Sequence, residues 1–280
     1  MSSRRRLSLL VALLAAPSAA QAEINIYSLL TLHGEPCSVR YTPGALDRAA
    51  HLQVRLQTLA ADYSKWGSRG YDFQAYVLSP EDWAQSGLAK PYGLPERAGP
   101  HALAAPAWGD EQSVRLWKAL LGGPLPWTAE GMPVRGSAEE AASLQLADVV
   151  LQTETARIFV EEENLRGEAP WIAELMAHAV ALQAFASHEE VRLLEIQEVY
   201  DHLAAAGLPS LATCPSASKV DATALACGAK FHAGARVLLA KSGLKTVRVL
   251  TKLAKRQGLS QATLLKEYPT LAEWVGGGAS

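Results

Sequence analysis

Three side chains near the middle of the chain are of types that hold metals or move protons: Glu154, Glu174 and His178. Glu174 and His178 stand four residues apart, which places them on one face of a helix. Together with Glu154 they would form a Glu/Glu/His ligand set for zinc, and hydrolysis would then be possible. The plainer alternative is a helix histidine satisfied by Glu174 or by a backbone carbonyl. Cys214 and Cys227 are the next pair. In an oxidising compartment they would close a short loop through Pro215-Ser216-Ala217-Ser218, with Cys37 left over; otherwise all three are buried thiols. Other chemistries lack their residues. Gly122-Gly123 is not followed by the Lys-Ser/Thr of a phosphate-cradling loop. The sequence has no Gly-x-Ser-x-Gly and no Cys-x-x-Cys.

The elements that must position these groups divide the chain in two. Residues 23–110 read as an α/β subdomain. Residues 24–27 and 38–41 suit short strands. Leu46, Ala49, Ala50, Val54, Leu56 and Leu59 recur at helical spacing within 43–66. Residues 73–78 alternate as a strand and stop at Ser79-Pro80, 81–86 suit a turn or two of helix, and 101–105 suit another strand. Residues 111–280 read as a helical subdomain. Ser137 with Glu140 three residues later is a capping box opening a long helix to about residue 160. Further helices are expected at 171–185, 190–205, 223–241, 244–257 and 261–275, with Gly243 and Gly258 at C-caps. Glu154 thus rides on the first long helix, and Glu174 and His178 on the second.

The stretch Val149-Val150-Leu151-Gln152-Thr153-Glu154-Thr155-Ala156-Arg157-Ile158-Phe159-Val160, followed by Trp171-Ile172-Ala173-Glu174, resembles the gluzincin metallopeptidases. The likeness is to their peptidase-MA-like group and covers roughly residues 70 to 275. Phe231-His232-Ala233-Gly234 resembles an aromatic-x-x-Gly helix found downstream in that group. The resemblance implies an α+β, zincin-like fold: a small mixed sheet, the motif helix packed on it, and a helical C-terminal half. Such proteins carry His-Glu-x-x-His on the motif helix and a third ligand, a Glu, on the next. Here Thr153 and Arg157 stand at the two His positions, Glu154 at the general base and Glu174 at the third ligand. Thr is a poor zinc ligand, and Arg cannot give up its proton to become one.

The resemblance therefore implies a degenerate site without the family's zinc. Arg157 would put a fixed positive charge where the metal sat, bind Glu174 through two hydrogen bonds and touch Glu154. Two buried carboxylates without any cation would be costly. An ordinary polar helix face is the alternative to a degenerate site. His232 would lie near the same cleft. The strand at 101–105 would be the edge to which an extended peptide adds. The seven tryptophans would line a ligand groove or fill the core.

Composition bounds the rest. In 280 residues, 49 % are apolar and 19 % charged, which permits a sizeable core and excludes wholesale disorder. Twenty-six basic residues against 28 acidic ones argue against a nucleic-acid partner. Arg4-Arg5-Arg6, the apolar run 7–16 and Ala20-Gln21-Ala22 have the pattern of a signal peptide spanning 1–22. That run is too short for a membrane anchor, so none is expected after cleavage. The expectation is a periplasmic or secreted, peptidase-like protein without a cofactor that binds a peptide or protein. The alternatives are an active metallohydrolase with zinc on Glu154, Glu174 and His178, and a helical envelope scaffold.

Overall fold

The computed structural model describes residues 24, 26–125, 136–188, 214 and 222–275. Buried and half-exposed residues alternate along Cys37–Tyr41 and Phe73–Leu78, so these segments form strands with one face in the core. Five strands make one mixed sheet: β1 (Leu30–Leu32), β2 (Cys37–Tyr41), β3 (Phe73–Leu78), β4 (Glu96–Arg97) and β5 (Ala102–Pro106). Their order is β1-β2-β3-β5-β4. The three central strands are parallel, and β1 and β4 pair antiparallel at the two edges. Helix α1 (Leu46–Trp66) crosses from β2 to β3 and buries Leu52, Leu56, Leu59 and Tyr63 against the inner face.

Shorter helices follow: α2 (Pro80–Gln85), where the Ser79 hydroxyl accepts from the Asp82 amide, and α3 (Glu111–Leu121), opened by an Asp110–Ser113 capping box. Helix α4 (Ala138–Glu162) begins at the expected Ser137–Glu140 capping box. Its start lies so close to Gly109 that a Cβ there would sit 2.0 Å from the Glu140 carbonyl oxygen. Only glycine fits that approach. Helix α4 carries apolar residues nearly all round because it is sandwiched between the sheet and α5 (Pro170–His188). Phe159 of α4 packs on Tyr63 and Tyr71 with ring centroids 5.0 and 5.4 Å apart. Helix α6 (Ala222–Ser242) covers the far side of α5, and α7 (Thr246–Gln257), α8 (Gln261–Glu267) and α9 (Ala272–Val275) complete the helical half. One continuous core runs from Cys37 to Val275 through both halves.

The fold is α+β, with a small mixed sheet and a mostly helical remainder. Several local expectations are corrected. In place of the strand expected at 24–27, Ile26–Ser28 is a 3-10 turn, and the edge strand begins at Leu30. The strand at 101–105 is not an edge, because Glu96–Arg97 pairs with Leu103 and Ala104 on its open side. The helix expected over 261–275 is broken at Pro269, which lacks an amide hydrogen and starts a 3-10 turn. The signal peptide expected at 1–22 and the helix expected at 190–205 lie outside the described residues. Cys214 and Cys227 form a disulfide, with Cα atoms 5.5 Å apart. Cys37 is free and buried, and burial pushes its thiol up to about 11. Among the described residues no helix is long and apolar enough to cross a membrane.

Candidate functional site

Helix α4 carries Glu154, Arg157 and Glu161 at positions i, i+3 and i+7, one stripe along its length. The Arg157 guanidinium lies between two carboxylates. Its Nη1 is 2.7 Å from Glu154 Oε1, while Nε and Nη2 donate to Glu174 Oε2 at 3.1 and 2.8 Å. Both bonds to Glu174 thus end on one oxygen. A second cation, Lys90 from the loop between α2 and β4, donates from Nζ to Glu154 Oε1 at 2.7 Å. The same ammonium donates to the Pro95 carbonyl at 3.1 Å, and the Lys90 amide donates to Glu96 Oε2 at 2.8 Å. Two cations therefore face two carboxylates on the α4–α5 seam.

Burial decides the electrostatics. The Glu154 side chain is only 6 % exposed and that of Arg157 is 21 % exposed. Burial alone would push the Glu154 carboxyl up, but Arg157 and Lys90 outweigh it and hold the group at about 2. For Arg157, burial works against the charge, and the two carboxylates overcome it, so its pKa is raised. A carboxylate held that low is a weak base near neutrality, where a general base works best with a pKa near 7. Glu154 is thus held as a carboxylate that meets Lys90 and Arg157.

The remaining expected residues are placed differently. Thr153 is buried, and its hydroxyl donates back to the Val149 carbonyl of its own helix at 3.2 Å. His178 is buried and stacks on Phe231 of α6, with ring centroids 5.9 Å apart and planes at 26°. Burial above all, then His232 and Arg157, drives the His178 pKa well below its usual value. His232 is buried too, and burial with Arg236 nearby lowers its pKa to about 3. Both imidazoles are neutral at physiological pH. Among the described residues no three His, Cys, Asp or Glu side chains are grouped to hold a metal. Arg157 fills the gap between Glu154 and Glu174, so Glu154, Glu174 and His178 do not converge as a ligand set.

Two further carboxylates fasten α4 to the α/β half, and sequence reasoning missed both. Asp148 is fully buried; Arg48 forks onto both its oxygens, and Arg55 Nη1 lies 3.3 Å away. These arginines overcome burial and hold Asp148 at about 2. Glu163 Oε1 accepts from the Ser68 amide, the Ser68 hydroxyl and the Tyr71 hydroxyl at 2.7, 3.1 and 2.9 Å. Lys90 was missed as well. It stands in a Pro/Gly-rich loop without periodicity, and only the fold brings it to Glu154. Near the same edge, Arg97 of β4 pairs with Glu161 at 2.8 Å.

The chain matches no protein-family model, no curated protein and no solved structure.

Proposed function

We propose that this chain is an exported, peptidase-like protein of zincin-like layout that has lost zinc-dependent catalysis and binds a peptide or protein partner. The observation that carries the reading is Arg157 lodged between Glu154 and Glu174. A permanent cation then stands where the family's arrangement would hold its dication, and it keeps two buried carboxylates compatible with folding. The Cys214–Cys227 disulfide fits an oxidising compartment. For the partner, the sheet ends at β4, not β5, on the side of the network, and an extended peptide would add there. Lys90 and Arg97 pair with α4 along that edge, so the network braces the strand a peptide would meet.

Zinc content tests this. Elemental analysis of the exported protein should find no stoichiometric zinc, and chelator should remove no peptidase activity. The double variant Thr153→His with Arg157→His should bind zinc together with Glu174. One equivalent of tightly held zinc in the unmutated protein, lost together with activity on chelation, would overturn the reading in favour of a metallohydrolase built on Glu154, Glu174 and His178.

A further inference from the structure

The outer face of the sheet, away from α1 and α4, carries a separate feature. Strand pairing sets Ser38 beside Gln74 and Gln74 beside Ala102 in one row, with Tyr76 two residues further along β3. Their neighbours Val39, Phe73, Ala75 and Leu103 point into the core, so this row faces outward. The small side chains of Ser38 and Ala102 on either side of Gln74 leave a groove of about 600 Å³. Its sides are the turn at 34–36 and the loop at 98–100, and Ile24 also lines it. At one end His101 is fixed by two carboxylates: Nδ1 lies 3.0 Å from Asp72 Oδ1 and Nε2 3.4 Å from Glu162 Oε1.

We infer that this groove binds a neutral, polyhydroxylated ring compound of one or two sugar units. Ser38, Gln74 and Tyr76 supply a hydroxyl, an amide and a phenol, groups that both donate and accept. Among the described residues none of these three side chains has a hydrogen-bond partner, so a ligand's hydroxyls would meet unused capacity. Charge argues for a neutral ligand. Among the described residues no Lys or Arg lines the groove, and its one carboxylate, Asp72, is already met by His101. A phosphate or carboxylate would find no cation beyond that imidazole. Tyr76, Pro36 and Pro100 also line the groove with apolar ring atoms against which the C–H face of a sugar can pack. The volume lies in the ordinary range for small-molecule sites. The groove shares no residue with the Arg157 network, so its function stands or falls separately.

The test uses the purified full chain, with glucose, N-acetylglucosamine and cellobiose as probes and glucose 6-phosphate as the anionic control. Saturation-transfer NMR and calorimetry should show at least one neutral sugar bound with a dissociation constant near or below ~1 mM, as expected for a few net hydrogen bonds. Glucose 6-phosphate should bind about tenfold more weakly or not at all. Gln74→Ala should weaken the sugar about tenfold, the equivalent of one lost bond. Ala102→Leu, which fills the floor, should abolish binding, and Ser38→Val on β2, across Gln74, gives the same reading if Ala102→Leu does not fold. Absence of transfer from all three sugars at ~10 mM overturns the inference. So does binding unchanged by the floor variants, or tighter binding of the phosphate.

Discussion

Lys90 Nζ and Arg157 Nη1 each lie 2.7 Å from the same atom, Glu154 Oε1. That shared oxygen makes Glu154 the meeting point of a loop from the α/β half and the seam between α4 and α5. Because Arg157 remains when Lys90 is removed, Lys90→Met should cost less than breaking a buried pair outright. We expect about 1–2 kcal/mol in urea unfolding at neutral pH, against the ~3–5 kcal/mol typical of a one-sided break. A loss larger than that of Arg157→Ala would show that the ammonium, not the guanidinium, is the hub.

Arg157→Ala removes the only described cation that contacts both Glu154 and Glu174. Its expected cost is ~3–5 kcal/mol, toward the lower end because Lys90 stays on Glu154 and the site is partly wet. Arg157→Lys should recover only part of this. One ammonium cannot reproduce a planar fork that reaches Glu154 with Nη1 while placing Nε and Nη2 on Glu174. A double-mutant cycle between Arg157→Ala and Glu174→Ala should give a coupling of 0.5–3 kcal/mol, roughly the range for residues in one network. Full rescue by Lys, or coupling near zero, would mean the two carboxylates need no fork.

Local signals in the sequence carried further than distant ones. Ser137 and Glu140 are three residues apart, and their capping box forms as their types demand. The gluzincin resemblance put Arg157 and Glu174 at two ligand positions of one site, and their side chains are hydrogen-bonded in the structure. The single-oxygen geometry was not legible, since it depends on how α5 tilts against α4. Strands β1 and β4 have three and two residues, too short for alternation to register. Missing β4 made β5 look like the edge. The spacing of Leu264, Leu271 and Val275 runs straight across Pro269, and there backbone chemistry overrides side-chain pattern. Asp148 was invisible for another reason: its partners Arg48 and Arg55 lie on α1, and no local rule links the two helices.

The disulfide should act on the unfolded chain. Cys214 and Cys227 are 13 residues apart in sequence, and closing such a loop is worth about 3 kcal/mol in the chain-entropy account. Reduction, or the pair Cys214→Ser with Cys227→Ser, should lower stability by about that amount. Thiol titration of the unfolded, unreduced protein should find Cys37 alone. Three reactive thiols in exported material would remove the bridge from the native state.

Acid should destabilise the protein in two stages. His178 and His232 are buried with pKa values below that of a free imidazole, so the unfolded chain binds their protons first. Their contribution is complete above the unfolded value near 6.5 and is lost as pH falls below it. Asp148 and Glu154 are each held at about 2, below their ordinary 3.8 and 4.5. A depressed carboxyl stabilises the fold above its unfolded pKa and surrenders that stability as pH falls toward its folded one. The second stage therefore runs from about 4.5 down to about 2, on the order of 2–3 kcal/mol for each group. Urea midpoints measured from pH 8 to 3 should stay level above ~7, decline gently to ~5 and then fall more steeply. His178→Leu should flatten the first stage, and Asp148→Asn, if it folds, the second. His101, whose pKa Asp72 and Glu162 raise, adds stability on acidification, so the profile is read in a His101→Gln background. A rise there between ~6.5 and 5 would mean that the buried histidines are protonated in the fold, and the neutral, stacked His178 would have to be abandoned.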